Sequence, residues 1–223
     1  MNFLYPTSIL GGIALLLAPT LAHGQNSPSP FYFGVRAGYS NYTMEGEEVK
    51  LHTQPGADEL QRDQWFTVGA ILRKRLYAPL SLQAELNYLR EGGHFKGGVF
   101  LGKTVYTIDC LQIPLLLDVE VPATEQLSIH LQGGMALTTV VREVELDMPS
   151  FDKRNRFSNP TDFFSPVLGG ELAWHQGRHV YFLNARYSYD LTDYYQREYM
   201  GTYYNAKSSG FTLAVGTLLG LGK

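Results

Sequence analysis

Eight segments of this chain alternate with a period of two, and in each the apolar set carries no charge. That spacing belongs to a strand whose two faces meet different surroundings, so it commits the chain to sheet structure before composition is consulted. The first segment sets Phe31, Phe33, Val35, Ala37 and Tyr39 against Tyr32, Gly34, Arg36, Gly38 and Ser40. The second opposes Val68, Ala70 and Leu72 to Thr67, Gly69, Ile71 and Arg73. In the third, Leu80, Leu82, Ala84, Leu86 and Tyr88 oppose Ser81, Gln83, Glu85 and Asn87. Segments 110–119, 127–137, 167–174, 181–188 and 211–219 behave alike.

The connections choose among all-β architectures. They run long, short, long, short, long, short, long. The long ones are Met44–Gln64, Glu91–Thr104, Val144–Phe164 and Leu191–Ser208, and the short ones lie near Tyr77–Pro79, Val121–Gln126 and Gln176–His179. Short turns alternating with long loops around strands of about 9–11 residues is the plan of an outer-membrane barrel. Aromatic residues stand near strand ends (Phe31, Tyr77, Tyr88, Trp174, Tyr187, Tyr189), where interface girdles belong. The fold expected is an all-β, eight-stranded antiparallel up-and-down transmembrane barrel with short periplasmic turns and long extracellular loops. A soluble periplasmic ligand-binding barrel is the rival, because alternation alone does not say which face points inward. A β-sandwich does not account for the rhythm of the connections.

The N-terminal end reads as a targeting segment. Ile9 to Leu17 is a short apolar run, and Ala22-His23-Gly24 supplies small residues at a cleavage site, so residues 1–24 are expected to be a signal peptide. Residues 25–30 follow as a flexible leader, and 31–223 as the barrel domain. The expected location is the outer membrane of a diderm bacterium. The formal net charge of −3 gives no basic footprint for nucleic acid. Cys110 is the one cysteine, which excludes an internal disulfide, and no Cys/His spacing matches a zinc motif. A mean hydropathy of −0.14 does not argue against a membrane barrel, in which only alternate strand residues need be apolar.

Four stretches carry a family likeness. They are Gly34-Val-Arg-Ala-Gly-Tyr39, Leu82-Gln-Ala-Glu-Leu-Asn-Tyr88, Leu111-Gln-Ile-Pro-Leu-Leu-Leu117 and Ala185-Arg-Tyr-Ser-Tyr-Asp-Leu-Thr192. In order and spacing they resemble the outer-membrane β-barrel family that includes the PorT-like proteins of diderm bacteria. Gln112 stands where that family more often has Glu. The resemblance implies an eight-stranded outer-membrane barrel and does not imply one activity, since only some members act in protein secretion.

Charges on the polar faces are the sharpest constellation. Arg36, Arg73 and Arg186 match Glu85, Asp118 and Glu171, three of each sign. A charge isolated in a low-dielectric wall is costly, so pairing inside the lumen is expected, either as a structural plug or as a gate. An eight-stranded lumen is just wide enough for side chains to fill. Enzyme chemistry at the outer rim would draw on His52, His94, Ser40, Asp109 and Glu91, which form no motif, and His130 is expected to hydrogen-bond inside the lumen. No catalytic residue, cofactor or metal ligand is assigned. The acidic loop Met44–Gln64 lacks the Asp-x-Asp-x-Asp-Gly order of a calcium loop. Tyr194, Tyr195, Tyr199, Tyr203 and Tyr204 offer either a contact surface or cross-strand pairs of an extended hairpin. Pro114, inside a strand, points to a bulge or edge, and Cys110 to an inert wall residue. The function expected is non-enzymatic: a structural or interaction barrel of the envelope, an accessory in export or surface assembly. Its alternatives are a small gated pore, the soluble binder and a rim-located lipid-modifying enzyme. The partners expected are outer-membrane lipid, the barrel-assembly machinery and an envelope protein.

Overall fold

The computed structural model describes residues 31–45, 61–96, 103–148, 152–154, 162–192, 195–199 and 202–221. The proposed signal peptide and leader lie outside them. The strands are β1 (Phe31–Glu45), β2 (Gln61–Tyr77), β3 (Leu80–Lys96), β4 (Lys103–Pro122) and β5 (Leu127–Met148), then β6 (Asp152–Arg154), β7 (Asp162–Gln176), β8 (His179–Tyr189), β9 (Tyr195–Tyr199) and β10 (Thr202–Leu221). Eight of them form the wall in the order β1-β2-β3-β4-β5-β7-β8-β10, and β10 returns to pair with β1, closing the barrel. All these pairings are antiparallel. The closing seam runs from Phe31 opposite Leu221 to Glu45 opposite Lys207 without a register shift. Closure matters because hydrocarbon offers no partner for an open edge.

The two faces divide as the alternation requires, and their polarity is the reverse of a soluble protein's. On β8 every second residue from Val180 to Ser188 is buried, and those between are exposed. Leu168 is 67% exposed, Leu131 and Val215 59%, whereas Glu85 is 4% and Asp118 0% exposed. Apolar outside and charged inside excludes the soluble ligand-binding barrel, whose apolar face would line its interior. Exposed Tyr77 and Trp174 stand near the short turns, and exposed Tyr187, Phe66 and Phe211 near the opposite end, as two aromatic girdles.

The short turns fall where the sequence places them. Ala78–Pro79 joins β2 to β3, residues 123–126 join β4 to β5, and Gly177-Arg178 joins β7 to β8. Gly177 has φ +61°, which a two-residue hairpin turn demands and a side chain resists. Thr124 Oγ1 accepts from the amide of Leu127 at 3.0 Å, tightening the second turn. The long connections are shorter than expected, because their strands continue beyond the apolar band. β4 and β5 stay paired as far as Lys103 opposite Met148. Beyond the band, β6 adds to β5 and β9 to β10.

Pro114 departs from expectation. It neither sits at an edge nor makes a bulge: the register from Ala84 opposite Leu115 to Asn87 opposite Gln112 is unshifted, and the ladder merely skips the two positions between. On the other side Pro114 pairs normally with Ala136. A strand residue directs its amide to one neighbour only, so the missing N–H interrupts β3–β4 and leaves β4–β5 intact.

Candidate functional site

Inward positions build a three-layer plug. Toward the end opposite the short turns Tyr42, Leu89, Ile108, Cys110 and Phe163 form an apolar layer. Toward the turns Ile71, Ala173, Val180, Phe182 and Leu218 form another. The charged layer lies between them, and glycines make its space. Arg36 faces Gly69 on one side and Gly216 on the other, and Arg186 faces Gly169. A Cβ at Gly169 would stand 2.5 Å from Arg186 Cγ, and one at Gly216 would stand 2.3 Å from Phe182 Cζ.

The six predicted charges join one network. Glu85 accepts from Arg36 Nη1 at 3.1 Å and Arg186 Nη1 at 2.7 Å. Arg73 Nη2 lies 2.8 Å from Glu171 and 3.6 Å from Asp118. Four amides tie these clusters together. Gln83 bonds both Arg73 and Glu85, and Asn87 donates to Glu85 at 2.9 Å. Gln132 donates to Asp118 at 2.8 Å and Glu171 at 3.3 Å, while its oxygen accepts from Asn184 at 2.8 Å and Arg186 at 2.9 Å. Three cations and three anions, all buried, thus neutralise one another across the full width of the lumen. Sequence reasoning named the charges and missed the amides. Their signal was present, since Gln83, Asn87, Gln132 and Asn184 share the inward parity.

Two lumenal cavities flank this layer, each of about 10 Å³. That is about the room of one water molecule.

Below the charged layer, at the end with short turns, a second polar cluster gathers. His130 Nδ1 lies 2.7 Å from Asp118 Oδ1, and His130 Nε2 lies 2.9 Å from Ser128 Oγ. Ser128 Oγ also lies 2.7 Å from His175 Nε2, and His175 Nε2 lies 3.7 Å from Glu120 Oε1. Arg75 takes the other Glu120 oxygen. His130 therefore does hydrogen-bond in the lumen.

The proposed rim participants do not converge on a nucleophile. Ser40 Oγ donates to the Trp65 carbonyl at 3.1 Å. Asp109 is bonded by Arg90, whose guanidinium lies 4.1 Å from the Trp65 ring centre. Glu91 is buried at the rim. His52 and Tyr194 lie outside the described residues, as do the side chains of His94, Tyr195, Tyr199, Tyr203 and Tyr204. The backbone register of the β9–β10 hairpin places Tyr199 opposite Thr202, Tyr204 opposite Arg197 and Tyr203 opposite Glu198, so tyrosine does not face tyrosine there.

A closed eight-stranded wall with an apolar exterior and this neutral interior is the setting in which likeness to known proteins becomes informative. The model of a family described as "Outer membrane protein beta-barrel domain" matches residues 23–196. The chain belongs to that family. Family membership and an apolar exterior together place it in the outer membrane of a diderm bacterium, with the short turns on the periplasmic side. Among solved structures, OprG from Pseudomonas aeruginosa is similar at 13% identity and a TM-score of 0.51, covering 86% of this chain and 96% of that one. Neisserial surface protein A matches at 12% identity and a TM-score of 0.47, covering 85% and 96%. Ail, the attachment invasion locus protein of Yersinia pestis, matches at 11% and 0.43, covering 85% and 99%. No curated protein matches. At 13% identity the likeness to OprG shows the barrel fold alone.

Proposed function

We propose that this outer-membrane barrel is a non-enzymatic structural and interaction element of the envelope, closed to solutes, that serves as an accessory in export or surface assembly. The observation that carries the reading is the neutral, mutually bonded charge layer that fills the lumen from wall to wall. Every one of its charges already has a partner of opposite sign. Breaking such a buried pair to open a path would leave an uncompensated charge, at about 3–5 kcal/mol.

The accessory role draws on the resemblance to PorT-like proteins, and three of the four resembling stretches supply residues of the plug: Arg36, then Gln83, Glu85 and Asn87, then Arg186. The surface offered to a partner is the strand extension beyond the bilayer, where β4–β5 and β9–β10 continue as paired ribbons.

Two measurements test it. Purified barrel in a planar lipid bilayer is expected to give a flat current trace, and discrete ohmic steps would overturn the closed-lumen reading. Pull-down from envelopes in mild detergent is expected to recover an envelope protein at near-stoichiometric yield. Recovery of the barrel alone would overturn the accessory role.

A further inference from the structure

The periplasmic mouth holds a set of ligating atoms that the plug does not use. Glu120 on β4, His130 on β5 and His175 on β7 each present one donor atom, and these three atoms lie within 4.8 Å of one another. Sheet register brings them together: His130 is directly opposite Glu120 on one side, and on the other side β7 delivers His175 at its periplasmic end. We propose that Glu120, His130 and His175 form a binding site for one divalent transition-metal ion of the zinc class, clamping three neighbouring strands at the periplasmic mouth.

Five features of the cluster argue for a metal. Two imidazoles and one carboxylate are a donor set that zinc favours. Bond lengths of about 2.0–2.2 Å in a tetrahedron separate ligand atoms by about 3.4 Å, close to the 3.7 Å between His175 Nε2 and Glu120 Oε1. His130 keeps Nδ1 on Asp118, which fixes its tautomer and leaves Nε2 with the lone pair a metal needs. The adjoining cavity, lined by Glu120, His130 and His175 among others, is of water size, enough for an ion. Partial exposure of His175 and Glu120, at 29% and 18% of their side chains, leaves the site reachable from the periplasm.

The charged surroundings are mixed. Arg75 bonds the second Glu120 oxygen, leaving Oε1 toward the histidines. Arg73 is engaged by Glu171 and Asp118 deeper in the lumen. The neighbouring set Asp118, His130 and Glu171 shares His130 with this site, but its two carboxylates belong to the plug, where Arg73 pairs with both.

The same atoms invite another reading, because Ser128, His130 and Asp118 follow the order of a nucleophilic triad. Three observations count against it. Ser128 is 2% exposed, its hydroxyl is also held by His175, and the adjoining cavity is too small for an acyl group. With Nδ1–H of His130 donated to Asp118, Ser128 donates to His130 Nε2 and receives from His175 Nε2–H. Ser128 thus spans the two nitrogens, and metal binding would displace it.

The test uses tag-free full-length barrel folded in detergent, stripped with chelator and titrated with Zn²⁺ by calorimetry. Co²⁺ as a second probe reports geometry through its visible absorption. Saturation at one ion per chain, with intense tetrahedral Co²⁺ bands, is the expected result. His175→Ala and Glu120→Gln, both outside the plug, are expected to weaken binding by at least about tenfold while keeping the folded gel mobility. Ser128→Ala is expected to retain one ion per chain. Absence of saturable binding, equal affinity in His175→Ala and the parent, or loss of binding in Ser128→Ala would each overturn the proposal. None of these readouts depends on conductance or on a protein partner, so the closed-lumen reading stands or falls separately.

Discussion

Glu85 is the residue on which the charged layer turns, because one carboxylate serves Arg36, Arg186 and Asn87 together with Gln83. Glu85→Ala leaves two guanidiniums buried with no counter-ion, so a loss of about 3–5 kcal/mol is expected, read from urea unfolding followed on gels by heat-modifiable mobility. The double variant Glu85→Ala/Arg186→Ala removes one charge of each sign and restores neutrality. Its loss should be smaller than the sum of the single losses, and strict additivity would argue against a coupled network. Asp190, just beyond β8 at the extracellular rim, is a different case. Burial pushes its carboxyl up to about 7, against hydrogen bonds from Ser165 Oγ and the Ser208 amide. A folded value above the unfolded one means the barrel binds this proton more tightly than the open chain. The stability it contributes is fully present below the usual Asp range and is lost as pH rises from about 4 through about 7. Asp190→Asn should flatten that part of the stability–pH profile relative to the parent protein, and matching profiles would refute the assignment.

At the scale of a strand, the two parities are two different solvents. Leu117 on β4 points outward and is 51% exposed, while its neighbours Leu116 and Asp118 are both fully buried in the lumen. Leu117→Arg, near the middle of the apolar band, is expected to cost about 2–4 kcal/mol in lipid vesicles, and a similar change near the girdles much less. Parity is the part of an element that sequence shows most plainly, because it needs no knowledge of partners. Strand ends are less legible: in β5 the apolar parity switches, Val144, Leu146 and Met148 alternating with Glu143, Glu145 and Asp147, past the register shift that skips Val141. Pro114 misleads for a related reason, since its effect depends on which neighbour its amide would have met, and that is set by pairing. The hairpin tyrosines belong to the same class. They offer either a contact surface or cross-strand pairs, and the β9–β10 register places other residues opposite Tyr195, Tyr199, Tyr203 and Tyr204.

For the whole molecule the decisive event is closure. β10 supplies both flanks of the seam, pairing β8 on one side and β1 on the other. Deleting residues 202–223 would expose two unpaired edges to hydrocarbon, so no heat-modifiable folded species is expected on gels after refolding into detergent. Recovery of a compact, protease-resistant form would show that seven strands can close by themselves. Closure also creates the lumen, and with it the contacts that no short stretch of chain contains. Arg186 and Glu85 are 101 residues apart, and Arg73 and Glu171 are 98 apart, yet each pair is in direct contact.

Sequence alone determined the all-β class, the parity of the eight wall strands, the end that carries short turns and which six charges lie on the polar faces. Periodicity, turn residues and loop rhythm are local, and each can be read without knowing what lies across the barrel. Tertiary structure alone decided the rest. It showed which face points to lipid, because alternation is the same in a barrel and in its inverse. It assigned the ion pairs and the bridging amides, and it gathered Glu120, His130, Ser128 and His175 at one mouth. Those depend on register and closure, which place residues by their height on neighbouring strands and leave their separation along the chain without meaning.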